Sequence, residues 1–118
     1  MTYIDGLVLP VKAGIGSDAY AAFAAKLAPV LREHGATRVV EGWGDDVPAG
    51  ERTDLRRAVG ATKGETVVFS WIEWPDKATR DAGMEKIRND PRMRPAGAET
   101  PVDGSRMIFG GFRVVLDA

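Results

Sequence analysis

The sequence predicts an α+β fold of the ferredoxin-like type, an antiparallel sheet with two helices on one face, and three observations lead there. Four short segments rich in Val, Ile, Phe and Trp are bounded by Gly, Pro and Asp, as strands are. Two longer segments carry apolar residues at helical spacing. In chain order they read β-α-β-β-α-β, the split βαβ pattern.

The first strand occupies residues 3–11, closed by Pro10 and the Gly14-Ile15-Gly16 turn. A helix follows, with Ser17 as its N-cap, and Tyr20, Phe23, Leu27, Val30 and Leu31 share one stripe until Gly35 supplies a left-handed stop. Pro29 falls inside this helix, where it removes a donor and crowds the carbonyl of Ala25, so a kink is expected. Residues 37–43 form the second strand. Residues 65–74 form the third and clearest, with Val67, Val68, Phe69, Trp71 and Ile72. Pro75-Asp76 opens a second helix that runs to about Asn89 and is ended by Asp90-Pro91. The last strand covers residues 107–116.

Two segments have no regular reading. Residues 44–64 are too long for a plain hairpin connection and are expected to hold a short strand near Arg57-Ala58-Val59, or to act as a flap. Residues 94–105, with Pro95, Gly97, Pro101 and Gly104, form a second irregular stretch.

Two helices cover one face of such a sheet, and the other face would then meet water and alternate cleanly. It does not. The third strand carries Val67, Phe69 and Trp71 on one parity and Val68 and Ile72 on the other. With no third helix available, a second copy of the sheet is the simplest cover, so a homodimer closed as a dimeric α/β barrel is expected. At 118 residues the chain fits a single domain over 1–118.

The stretches Tyr-Ile-Asp-Gly-Leu-Val-Leu-Pro-Val at 3–11, Arg-Glu-His-Gly-Ala at 32–36, Gly-Asp-Asp-Val-Pro at 44–48, Glu-Thr-Val-Val-Phe-Ser-Trp-Ile at 65–72, Asp-Pro-Arg-Met at 90–93 and Asp-Gly-Ser-Arg-Met-Ile-Phe-Gly-Gly-Phe at 103–112 resemble the YbaA-like domain-of-unknown-function family. That resemblance spans nearly the whole chain and implies a dimeric α/β-barrel fold. It implies no reaction. Where many members carry Ser-Phe-Pro before the Ala-Val pair, this chain has Asp54-Leu55-Arg56.

Composition narrows the chemistry. The chain has no cysteine and no Gln, one histidine and one Asn, and 16 basic against 17 acidic residues. Disulfides, thiolate nucleophiles, cysteine-bearing zinc sites and multi-histidine centres within one chain are excluded. No cofactor is implied and no metal site is expected. No apolar run is long enough to span a membrane, and the first residues lack the basic-then-apolar start of a signal peptide, so a cytoplasmic protein with no membrane partner is expected. The balanced charge does not indicate a nucleic-acid partner.

Strand parity supplies the candidate site. Read without bulges, the even-numbered residues Ile4, Gly6, Val8, Val40, Gly42, Val68, Ser70, Ile72, Ile108, Gly110, Phe112 and Val114 make a small, smooth face for helices. The odd-numbered face carries Tyr3, Asp5, Leu7, Glu41, Trp43, Phe69, Trp71, Glu73, Phe109 and Arg113, the mixture of aromatic and ionisable groups that lines a ligand cavity. Asp5, Glu41, Trp43, Trp71 and Arg113 are therefore the candidate ligand-binding residues. Against this stands a purely structural reading, with the charges in ion pairs and the Trp residues filling a dimer core.

Other features are weighed the same way. His34 sits at the helix stop, where it would cap carbonyls or pack, or else serve as a base or haem ligand. Asp45, Asp46, Glu51 and Asp54 fit no calcium-loop spacing and read as turn residues. Gly14-Ile15-Gly16 lacks a dinucleotide or phosphate-loop fingerprint. The basic run over 77–94, with Arg88, Arg92 and Arg94, contains no aromatic for base stacking and reads as a solvated face. The expectation is a barrel that binds a small apolar or aromatic ligand. A cofactor-free oxygenase or isomerase and a non-enzymatic dimeric interaction module are the alternatives.

Overall fold

The computed structural model describes residues 2–93 and 100–118. Its elements are β1 (Tyr3–Val11), α1 (Ser17–Glu33), β2 (Arg38–Trp43), α2 (Leu55–Ala58), β3 (Thr66–Trp74), α3 (Lys77–Arg88) and β4 (Ile108–Arg113), with 3-10 turns at Pro91–Met93 and Gly104–Arg106. The strands form one antiparallel sheet in the order β2-β3-β1-β4. With α1 and α3 as the two crossovers, that order is the ferredoxin-like fold the β-α-β-β-α-β reading required.

Most boundaries fall where turn and cap chemistry place them. Asp76 caps α3 by accepting from the Thr79 amide at 2.7 Å. Gly35 leaves α1 at φ +115°, which an L side chain adopts only under strain. At the start of α1 the cap residue is Gly16, with no side-chain hydrogen bond, so Ser17 is the first helical residue and not the cap. The helix continues through Pro29 as one element. The expected strand near residues 57–59 is instead α2, because Asp54 accepts from the Arg57 amide at 2.7 Å and starts a helical turn. The final strand stops at Arg113, short of the predicted residue 116.

Register decides which residues share a face. Tyr3 pairs with Trp74 and Arg38 with Glu73, so odd residues of β1 and β2 share a face with even residues of β3. Tyr3 also pairs with Arg113, so β4 keeps the parity of β1. The single-parity expectation therefore fails at β3. The helices take the face that carries Leu7, Leu9, Val11, Val39, Val68, Ile72 and Trp74. Leu31 of α1 and Ile87 of α3 pack there with Ile72 and Trp74, and Tyr20 packs with Leu9, Val11 and Val68. Trp74 and Val68 are completely buried. The opposite, open face carries Ile4, Gly6, Val8, Val40, Gly42, Val67, Phe69, Trp71, Ile108, Gly110 and Phe112. The smooth set of Ile4, Gly6, Val8, Val40, Gly42, Ile108, Gly110 and Phe112 thus lies away from the helices, while Val68, Ser70 and Ile72 lie under them as expected. Val114 lies beyond β4.

Candidate functional site

Of the five candidate residues, Trp43 and Trp71 line one groove, and Asp5, Glu41 and Arg113 lie apart from it. Asp5 is buried under α3, 4% exposed, where its carboxylate accepts from Trp74 Nε1 at 2.9 Å and from Arg80 Nη2 at 2.7 Å. Arg80 also lies over the Tyr3 ring, 5.1 Å from its centroid. Hydrogen bonding to Asp5 raises the Arg80 pKa further, so this ion pair is fixed and fully engaged. Glu41 is on the helix face too, accepting from the Tyr20 hydroxyl at 2.6 Å and from Ser70 Oγ at 3.2 Å. Burial, then the neighbouring Glu41 carboxylate, pushes the Tyr20 hydroxyl up, away from ionisation. Trp43 packs on Tyr20, ring centroids 5.9 Å apart. Arg113 is exposed at the end of β4, beside Thr2, Tyr3, Asp76 and Lys77. Of the five, Trp71 alone presents its ring on the open face.

Around Trp71 the open face offers a coherent surface. Phe69, 49% exposed, meets Trp71 edge to face with ring centroids 6.1 Å apart. Trp71 Nε1 donates to Glu73 Oε2 at 2.9 Å, and Arg38 reaches the same oxygen at 3.4 Å. Further along, Gly6 faces Gly110 across the β1–β4 pair, and a Cβ on either would touch the Phe112 ring, at 3.6 and 3.4 Å. Phe112 therefore lies flat over the glycine pair, and it is 61% exposed.

The 44–64 segment forms a flap on this face. Val59 packs with Val8 and Val67, closing one end of the sheet. Arg56 donates to the carbonyls of Glu65 and Thr62, at 2.8 and 3.0 Å. Arg106 reaches from the segment before β4 to Glu65 at 2.6 Å and to the Gly60 carbonyl at 2.8 Å. Hydrogen bonds from Arg106, then from the Thr62 amide, lower the Glu65 pKa from 4.5 to about 2. Between flap and sheet lies a groove of about 290 Å³, lined by Trp43, Val47, Leu55, Val67, Phe69 and Trp71, together with Asp45 and Asp46.

Residues 2–104 match the family described as "Protein of unknown function (DUF1428)". This chain belongs to that DUF1428 family. Members of high similarity are the uncharacterized protein YbaA of Escherichia coli strain K12 and that of Shigella flexneri, each 52% identical over 117 residues and covering 99% of both chains. In fold, this DUF1428 chain is similar to the crystal structure of a dimeric ferredoxin-like protein from an uncultured marine organism. The TM-score is 0.66 at 11% identity, over 99% of this chain and 98% of that one.

The remaining features resolve locally. His34 Nε2 lies 2.9 Å from Asp90 Oδ2 at the end of α1. Arg92 bonds Asp90 and Glu33 in the same cluster, and Arg92, then His34, holds Asp90 well below the usual carboxylate range. Glu33, His34 and Asp90 bring ligand atoms within 4.8 Å of one another, a grouping the sequence spacing did not show because 56 residues separate His34 from Asp90. Arg92 already bonds both of its carboxylates. Asp54 is taken up by Arg57 and the Gly50 amide, so among the described residues the acids of 45–54 form no set of three converging ligands. In the basic run, Lys77, Arg80 and Arg92 are paired with acids, and Arg94 lies outside the described residues. Among the described residues no helix is long and apolar enough to cross a membrane.

Proposed function

We propose that the protein is a homodimer closed by its open sheet faces, and that it binds a small, largely apolar, planar ligand against Trp71 and Phe69. The carrying observation is the uncovered aromatic face: Phe69, Trp71, Ile108 and Phe112 project from the side of the sheet opposite α1 and α3, while on the helix side only the edge residue Phe109 of β4 is comparably exposed among the described sheet residues. An exposed apolar surface of this extent marks an interaction site. The description of the ferredoxin-like structure as dimeric is in keeping with a second copy as the cover. Sheets packed face to face stand about 10 Å apart, and Gly6, Gly42 and Gly110 contribute no side chain to that gap. The space so left suits a flat ring system.

The interior polarity follows from the register. With Asp5, Glu41 and Trp43 on the helix side by register, the open face retains the Arg38–Glu73 pair at one end and Asp45 and Asp46 at the other. A ligand would lie on Trp71 and Phe69, with one polar end toward Glu73 and Arg38. Among the described residues the open face brings no nucleophile and base into contact, so binding is the reading it supports best.

Sedimentation velocity at micromolar concentration should give a dimer. Titration with quinones, phenols, flavins and haem should quench tryptophan fluorescence in the wild type, and Trp71→Phe should remove most of that response. A monomer with no response to any compound refutes both halves. A dimer with no response leaves a non-enzymatic interaction module in its place.

A further inference from the structure

The chain after β4 is unusual for a folded protein. Val115 and Leu116 are 82% and 80% exposed, more than any other large apolar residue described, and they follow directly on the sheet. Val114 is tied by its amide to the Thr2 carbonyl at 3.2 Å, so the tail leaves at a defined place, the corner where β4 ends beside Tyr3. The apolar groove under the flap lies at the opposite corner, where β2 ends at Trp43 and β3 begins at Thr66. A chain cannot place its own tail there, because the tail starts at the far end of the strands and across the width of the sheet.

A second copy can. Two open faces related by a two-fold axis along the other diagonal of the sheet exchange these two corners, so each tail reaches the partner's groove and the contact is made twice. The sheets then cross near a right angle, one of the two established ways sheets stack. Charge agrees with this arrangement. Arg113 is exposed at the tail's root, Asp45 and Asp46 are exposed at the groove's rim, and among the described residues none of the three makes an ion pair. Area agrees as well. Four strands about 4.8 Å apart and roughly 25 Å long project a face of about 500 Å², part of it already under the flap, where a stable interface takes about 800 Å² per partner.

We propose that residues 114–116 of each copy seat in the groove between the flap and β2–β3 of the other, with Arg113 of the partner subunit facing Asp45 and Asp46. This rests on the homodimer reading and extends it. The ligand groove beside Trp71 is then completed by the partner's Leu116, and binding requires the assembled pair.

The absence of cysteine makes the test direct. In the full-length chain, Leu55→Cys combined with Leu116→Cys should form an intersubunit disulfide on mild oxidation, seen as a covalent dimer on a non-reducing gel, while each single variant stays non-covalent. The two positions are at opposite corners within one molecule, beyond the Cα separation of about 7 Å that a disulfide tolerates. Because both side chains are exposed, neither substitution threatens folding. Leu116→Asp should weaken dimerisation at least tenfold in sedimentation equilibrium. If the wild type is dimeric but the double variant fails to cross-link and Leu116→Asp dimerises as tightly as wild type, the tail assignment is overturned and the homodimer stands. A monomeric wild type overturns both.

Discussion

Among single residues, Asp5 is the one whose apparent role changes most between sequence and structure. A carboxylate in mid-strand, on the parity that carries tyrosine and arginine, reads as a ligand anchor. In the fold its two oxygens are consumed by Trp74 Nε1 and by the Arg80 guanidinium, beneath α3. Removing one partner of a buried ion pair strands the other, at a cost of about 3–5 kcal/mol when burial is complete. Arg80 keeps 22% of its side chain exposed and recovers some hydration, so the low end applies. Asp5→Ala should therefore lose about 3 kcal/mol, read as a lower urea midpoint at unchanged slope. Asp5→Asn keeps an acceptor for Trp74 and should lose about half as much. Loss of ligand response at unchanged stability in Asp5→Asn would return Asp5 to a binding role.

Elements show where close approach, and not propensity, governs a position. Gly83 lies in the middle of α3, where alanine would ordinarily add about 1 kcal/mol of helix stability. A Cβ there would come within 2.4 Å of the His34 carbonyl and 2.7 Å of the fully buried Trp74 ring. Neither neighbour can yield without separating α3 from α1 and from the sheet, and overpacking of this kind costs about 1–3 kcal/mol. With contacts this short the upper half of that cost applies, about 2–3 kcal/mol, and, less the propensity gain of about 1 kcal/mol, Gly83→Ala should destabilise by about 1–2 kcal/mol, while Glu85→Ala on the exposed side of the same helix should be close to neutral. A stabilised Gly83→Ala in thermal or chemical unfolding would show that the helices can part at no cost. The order of the strands and helices was legible from apolar spacing, and the ends of α3 from Asp76 and Asn89. Face assignment was not, because parity along one strand says nothing about its partner until the register is known. Tyr3 opposite Trp74 and Arg38 opposite Glu73 put Asp5, Glu41 and Trp43 on the helix side and Trp71 on the other. The flap was legible as an anomaly of length, but its helical turn depends on Asp54 meeting the Arg57 amide, a local contact that competes evenly with a strand in this sequence.

At the level of the whole molecule, one polar cluster joins three distant stretches of chain. Glu65 at the start of β3, Gly60 of the flap and Asp103 before β4 all meet Arg106. The guanidinium holds the Glu65 carboxyl at about 2 instead of 4.5, and it lowers Asp103 as well, after the Ser105 hydroxyl. A carboxylate whose folded pKa is depressed contributes stability that is fully present above the unfolded value and is lost as pH falls through the folded value. The contribution of Glu65 is thus complete above about 4.5 and disappears between there and about 2. Since that pair anchors the flap over Val8 and Val67, acid should release the flap and expose Trp71 and Phe69 before the helix-side core around Trp74 gives way. In a Trp43→Phe background only Trp71 and the fully buried Trp74 emit, and that emission, read against far-UV circular dichroism, should shift to longer wavelength across that window while the helical signal persists. Glu65→Gln removes the titrating group, and in the same background its tryptophan emission at neutral pH should already lie toward the acid-form value. Coincident loss of emission and helical signal in the wild type, or an unaltered acid transition in Glu65→Gln, would show that the flap is held by its apolar contacts with Val8 and Val67 and not by the Arg106 cluster.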